Sequence, residues 1–368
     1  MGWFCGLVIV PPGGGMFRRT RSGRARDSAP PGCRAEFVTC AGRGSVGNVG
    51  PVQLTWRNGL DQAEVAEVVA LLDAAAEADG VAPAGEHVLM RLRAHRDVAQ
   101  QIEPVQADVR SEHFVVRNAA DELLGYAHLD TADEAAGLLV AELAVHPAQR
   151  RGGVGTRLVR ALLERADLPV EGAGEDTGRL RIWSHGEHPG ALRLAERFGF
   201  ARPRELWRMG LRLADAELPE APAPGGVSIR AFRPGSDEAA VVEVNHRAFR
   251  WHPEQGAMSE ADLREKEAED WFDAAGFFLA VDPQDRLLGF HWTKVHPDGR
   301  GEVYVVGVDP DTQGSGLGKV LTAAGLRHLR AAGCAEVLLY VEGDNAPAIK
   351  VYQRLGFERT DLDVQFGR

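Results

Sequence analysis

The chain has 368 residues, which at roughly 100–200 residues per domain is enough for about two domains and excludes a peptide hormone or a lone small binding module. Hydrophobic residues make up 44% and charged residues 26%, the balance of a soluble globular protein, and no run approaches the roughly 18 apolar residues of a membrane-spanning helix. The formal charge of −11 argues against a generally basic nucleic-acid binder.

Residues 1–50 are a different material, with seven Arg against Asp27 and Glu36, a net of +5 that leaves −16 for the remainder. They hold Cys5, Cys33 and Cys40. The body has Cys334 alone, so no disulfide forms within it and a reducing cytoplasm is its natural home. The apolar stretch Trp3 to Val10 precedes the basic cluster at Arg18, Arg19, Arg21, Arg24 and Arg26, the reverse of a secretory signal. From Pro11 to Gly50 the Gly, Pro, Ser and Arg content offers too little apolar surface to offset chain entropy. Residues 1–51 are therefore expected to be a disordered extension, with folded chain from about Val52.

From Leu60 to Ala78 the apolar Val65, Val68, Val69, Leu71 and Leu72 recur at amphipathic helical spacing. The stretch from Val145 to Gly155, VHPAQRRGGVG, aligns without a gap with Val308 to Gly318, VDPDTQGSGLG. Ile182 to Phe200 aligns likewise with Leu339 to Phe357. Two matching blocks in the same order point to a duplication. Between the copies, Leu213 to Gly226 combines three prolines with paired glycines, a semi-rigid linker that divides 52–212 from 227–368. In the second half strands are expected at Leu287 to Lys294, Glu302 to Val308 and Glu336 to Val341, with helices near Leu317 to Ala332 and Ala346 to Leu355. The helix after Val308 supplies the crossover that parallel strands require. The fold class is mixed α/β, with a central twisted sheet flanked by helices in each half.

Glycines at Gly314, Gly316 and Gly318 open a helix whose first N–H groups lack partners, an arrangement that suits phosphate and serves equally as a tight turn without ligand. A P-loop is excluded, since position 313 is Gln and position 320 is Val. The dinucleotide fingerprint fails because Leu158 and Leu321 stand where its third Gly belongs. The pattern that fits is Q/R-x-x-G-x-G/A, at Gln313 to Gly318 and at Arg150 to Gly155.

These residues resemble motif A of the GNAT acetyltransferases, whose loop holds the pyrophosphate of acetyl-CoA. Acetyl transfer to an amine needs a neutral nucleophile, a polarised carbonyl and a proton for the departing thiolate. The resemblance places Tyr352 as general acid and the N–H groups of Val306 to Val308 on the thioester oxygen. Glu302, sharing a strand face with Tyr304 and Val306 by alternation, is the candidate general base. Each has a plainer reading: Glu302 as a solvated charge at a strand end, Tyr352 as core, Asn345 as the cap of the helix from Ala346. His252 reads as a turn residue, and no His, Cys and carboxylate spacing demands a metal. The alignment puts Leu139 opposite Glu302, Ala195 opposite Tyr352 and His188 opposite Asn345. The first half therefore reads as an acetyl-CoA binder without acid or base.

A closer resemblance rests on Asp79 to Pro83 (DGVAP), His252 to Gly256 (HPEQG), Gly289 to Lys294 (GFHWTK), Glu302 to Pro310 and Leu339 to Pro347. Over about residues 52–368 the chain is similar to the mycothiol synthases, two-domain GNAT enzymes of actinobacteria. They acetylate the cysteinyl amine of Cys-GlcN-Ins, a pseudo-disaccharide. The resemblance implies substrate contacts at Glu86, Glu254, Lys294, Glu302 and Tyr340. It implies acetyl-CoA contacts at Leu143, Ala144, Val145, Arg151, Gly152, Gly153, Val154, Gly155 and Thr156 in the first half. In the second half it implies Val306, Gly307, Val308, Gln313, Gly314, Ser315, Gly316, Leu317, Gly318, Lys319, Asn345, Ala346, Pro347, Ala348, Ile349 and Lys350. Carboxylates suit a polar amine because they accept from hydroxyls and favour an ammonium. A monomer is the default, the duplication supplying the paired domains a homodimer would. Two alternatives stay open: a GNAT enzyme for another amine, and an acetyl-CoA sensor without catalysis.

Overall fold

The computed structural model describes residues 52–85, 87–89, 91–92, 111–168, 178–218, 223–250, 256 and 258–368. The extension 1–51, Glu86, His252 and Glu254 lie outside them.

The first half runs β1 (Gln53–Arg57), α1 (Gln62–Asp79), β2 (Ser111–Arg117), β3 (Leu123–Asp130), β4 (Leu139–Val145), α2 (Val154–Arg165), β5 (Leu180–Ser184), α3 (Pro189–Phe198) and β6 (Ala201–Arg212). The second runs β7 (Ser228–Ala231), α4 (Glu238–Ala248), α5 (Glu260–Glu267), β8 (Phe277–Val281), β9 (Leu287–Val295), β10 (Gly301–Val308), α6 (Leu317–Ala331), β11 (Glu336–Glu342), α7 (Ala346–Arg354) and β12 (Glu358–Gly367). The expected helices and strands fall within a residue or two of these bounds, because their periodicity agrees with their capping. Asp61 and Glu64 form a reciprocal capping box at the start of α1, and Gly80, at φ +70°, ends it.

The central sheets of the two halves join, so that the described strands form one twelve-stranded sheet, ordered β1-β2-β3-β4-β5-β12-β6-β11-β10-β9-β8-β7. Two neighbouring pairs are parallel, β4 with β5 and β10 with β11. The halves exchange their last strands: β12 lies against β5 of the first half, and β6 lies against β11 of the second. Ion pairs follow the exchange, Arg204 to Glu342 at 2.6 Å and Arg208 to Asp361 at 3.0 Å. Leu362, Val364 and Phe366 of β12 pack with Ala195 of α3, and burying three such side chains contributes roughly 5–9 kcal/mol. The expected linker starts anchored, since Leu213 N donates to Ala335 O and Arg330 donates to the carbonyls of Leu213 and Ala216.

Each half of the sheet is covered on both faces. On one face Leu158, Leu162 and Leu163 of α2 pack with strand residues such as Ala141 and Ile182, and α1 covers the other face with Val68 and Leu72. In the second half one cluster joins α6 and α7 to Val303, Val306, Leu339 and Val341, with Cys334 among them. The opposite cluster is aromatic, built from Phe277, Phe290, Trp292 and Tyr304 with Trp271 packed against it. Burial pushes the Cys334 thiol pKa up, so it packs as a small apolar group.

Candidate active site

The two parallel pairs are forks. In the second half β10 and β11 are paired at Gly301 with Val337 and at Glu302 with Leu338, and then part. Beyond Glu302, β10 keeps β9 on one side, so N–H groups pointing to the other side have no strand partner. At the mouth of this opening stands the glycine turn, with Gly314 and Gly316 at φ +81° and +89°. The N-cap residue of α6, Gly316, has no side chain to cap it; Leu317 N makes a long 3.4 Å bond to Ser315 Oγ, and the helix N-terminus carries partial positive charge. Gln313 fixes the turn by donating from Nε2 to Val308 O at 3.2 Å. These residues fit a pyrophosphate: open glycine backbone, a helix N-terminus and Lys319 in the first helical turn.

A bulge corrects the expected strand face. The β10 pairing with β9 shifts between Val303 and Val305, so alternation fails at Tyr304. Val303 and Val306 pack with α6 and α7, while Tyr304 and Val305 pack in the aromatic cluster. Val306 therefore lies on the face opposite Tyr304, because the extra residue of a bulge reverses every side chain after it.

Glu302 is completely buried at the fork, not a solvated strand end. Its Oε2 lies 2.7 Å from His296 Nε2, and its Oε1 has no hydrogen-bond partner. Lys294 stands directly across from it on β9, buried, with Nζ 4.7 Å from the ring centre of Trp271 and 5.6 Å from that of Tyr304. Tyr340, on β11 two residues beyond the fork, packs against the same aromatic cluster. Lys294, Glu302 and Tyr340 thus meet on one face; Glu86 and Glu254 are outside the described residues. Tyr352 comes from the other face. It is buried beside Val306, edge-on to Phe357 with centroids 5.9 Å apart, and burial pushes its phenol pKa up, so it stays protonated. Asn345 caps α7 by accepting from Ala348 N at 3.2 Å, and its Nδ2 is buried without a partner.

In the first half the glycine turn is preserved in altered form. Arg150 donates to Val145 O at 3.3 Å, as Gln313 does to Val308, and also grips Asp79 with two bonds of 2.6 and 2.7 Å. Arg151 occupies the left-handed region at φ +67°, where the other turn has Gly314, and Gly153 sits at φ +87°. Leu139 and Ala195 are buried apolar residues, and His188 caps α3 by accepting from Gly190 N. The register of β3 on β4 runs without a shift from Gly125 to Asp130, so this half lacks the bulge of β10. Its fork lies farther along, at Glu142 opposite Trp183.

Glu142 is therefore the residue at the first fork, which the ungapped alignment missed by looking at position 139. It is buried, accepts from Gly85 N, and lies 3.5 Å from both His87 and His185. His185 reaches on to Asp363 of β12 at 3.1 Å. Burial disfavours the charge on Glu142, yet His87 and His185 beside it hold its pKa down at about 2. Burial likewise opposes a charged His185, but its bonds to Asp363 and Glu142 push it up to about 10. A Glu alone in the apolar run LVAELAV was the available sequence signal for this cluster. His296 gave less, sitting in a polar turn. Among the described residues no group of three or more His, Cys, Asp or Glu is placed to hold a metal ion, and no helix is long and apolar enough to cross a membrane.

Comparison with known proteins bears on the same two regions. Residues 241–357 match the acetyltransferase (GNAT) family model and residues 110–202 match an acetyltransferase (GNAT) domain. The chain is 73% identical over 304 residues to a mycothiol acetyltransferase of Saccharopolyspora erythraea, covering 82% of this chain and 100% of that one. It is 55% identical to a mycothiol acetyltransferase of Actinosynnema mirum, covering 85% and 98%. Among solved structures it resembles a GCN5-related N-acetyltransferase from Sphaerobacter thermophilus, with 24% identity, TM-score 0.61 and coverage of 86% and 95%. It also resembles a tandem GNAT protein from the clavulanic acid biosynthesis pathway, with 21% identity, TM-score 0.62 and coverage of 86% and 98%. These two likenesses show the tandem fold.

Proposed function

Since the chain belongs to the mycothiol acetyltransferase family of tandem GNAT proteins, and is an acetyl-CoA-dependent N-acetyltransferase, we propose that its second half transfers acetyl from acetyl-CoA to the cysteinyl amine of Cys-GlcN-Ins. The observation that carries this reading is the buried Glu302 at the fork, with one oxygen unpartnered and Lys294 across from it.

In this reading Glu302 takes a proton from the substrate ammonium, and the neutral amine attacks the thioester carbonyl. The freed N–H groups of β10 between Val306 and Val308 support the oxyanion. As the C–N bond completes and the C–S bond breaks, Tyr352 gives its phenolic proton to the CoA sulfur. The nitrogen loses two protons in all: one goes to water, and one restores the phenol through solvent. Lys294, Tyr340, Glu86 and Glu254 bind the polyhydroxy substrate. Gln313 to Lys319 hold the pyrophosphate, with Asn345 to Lys350 beside them.

The first half, 52–212, binds a second acetyl-CoA through Leu143 to Val145 and Arg151 to Thr156 without turning it over, and 213–226 joins it to the catalytic half, 227–368. The apolar Ala195 where the second half has Tyr352, and a fork carboxylate, Glu142, set among Gly85, His87 and His185, support that division. We assign a monomer working in the cytoplasm, where acetyl-CoA is made.

The test is mass-spectrometric turnover of acetyl-CoA with Cys-GlcN-Ins and a panel of simple amines, with Glu302→Gln as control. The expected result is one added acetyl group on the cysteinyl pseudo-disaccharide alone, reduced about 100-fold or more in the control. Reaction of another amine instead would keep the acetyltransferase and overturn the substrate.

A further inference from the structure

His296 opens the turn between β9 and β10. Its N–H donates to Arg300 O at 2.8 Å and its carbonyl accepts from Gly299 N at 2.9 Å, so its backbone is fixed, and its Nε2 lies 2.7 Å from Glu302 Oε2. The carboxylate is fully buried while the imidazole is 21% exposed. Glu302 is therefore held at one oxygen and open at the other.

We propose that His296 is a positioning residue for acetyl transfer: its Nε2–H donates to Oε2 of Glu302 and turns the carboxylate so that Oε1 meets the amine. The inference rests on the reading of Glu302 as the base. A general base works only when its free oxygen is held within hydrogen-bond reach of the proton it takes, and a donor on a fixed backbone supplies that hold. The other charges around the pair come from three places. Lys294 lies across β9, engaged with the rings of Trp271 and Tyr304. Asp298 and Arg300, in the same turn, pair with each other at 2.7 Å, and Asp298 also feels the His296 ring. From β11, Tyr340 interacts with Arg300. His296 Nε2 is at hydrogen-bond distance from Oε2. Without that donor the carboxylate is expected to lose its orientation.

The experiment measures kcat and KM separately with acetyl-CoA and Cys-GlcN-Ins for the wild type, His296→Phe, His296→Gln and Glu302→Gln. His296→Phe keeps the ring's bulk and lacks the donor. It is expected to lose about tenfold to a hundredfold in kcat, with KM for acetyl-CoA unchanged. His296→Gln, whose amide retains an N–H, is expected to restore kcat to within a few-fold of the wild type. An unchanged kcat in His296→Phe, or an equal loss in both His296 variants, overturns the inference while an inactive Glu302→Gln leaves the base reading intact. Wild-type turnover by Glu302→Gln removes the base reading itself, and this inference with it.

Discussion

Glu302 and Tyr352 lie against opposite faces of β10, and in the proposed mechanism that separation lets a base and an acid serve the two ends of the same transfer. Tyr352→Phe keeps the edge-on packing against Phe357 and removes only the hydroxyl. Turnover is expected to fall about 100-fold while acetyl-CoA affinity, read by calorimetry, stays the same; equal loss of both would end the role as acid. Both residues could be named as candidates from the sequence, Tyr352 through the resemblance to GNAT acetyltransferases and Glu302 at the start of the strand that leads into the glycine turn. The burial of Glu302 was not legible, since a Glu after a Gly at a strand start reads as exposed until β11 is paired beside it. His296 was invisible for a related reason: it lies six residues from Glu302 along the chain and meets it only when the turn closes.

Five elements of the second half, β9, β10, β11, α6 and α7, were readable to within a residue or two because caps, glycine turns and periodicity agree; the others carried no pattern clear enough to bound them. What defeated the reading within an element was the bulge at Tyr304, since GEVYVVGV is apolar at almost every position after Glu302 and carries no alternation from which a shifted face could be recognised. Packing between elements was equally silent about Gly325 of α6. A Cβ there would stand 2.1 Å from His291 Cε1, and the His291 ring is itself fixed by Nδ1 to Leu321 O at 2.9 Å. Gly325→Ala, although alanine is the better helix former, is expected to cost about 1–3 kcal/mol through overpacking. Urea denaturation measures it, and an unchanged or raised midpoint would contradict the α6 and β9 packing described.

At the scale of the whole molecule the duplication could be read from two ungapped blocks, but the strand exchange could not, because β6 and β12 have the same local pattern whichever neighbour they choose. The exchange also creates the cluster at the first fork, where His185 joins Glu142 of β4 to Asp363 of β12. With His185 raised from 6.5 to about 10, its stabilisation is complete below about pH 6.5 and is lost as pH rises through about 10. With Glu142 lowered from 4.5 to about 2, its share is present above about pH 4.5 and lost as pH falls through about 2. Denaturation midpoints are therefore expected to decline from pH 6.5 towards 10 in the wild type and to decline less in His185→Asn, which starts lower; parallel curves would refute the coupling. The exchange sets a schedule as well. β12 follows β5 by about 170 residues, so at roughly 5–20 residues per second the strand that completes this edge of the first half is made on the order of ten to thirty seconds after the edge itself, and an unpaired edge is a template for other strands.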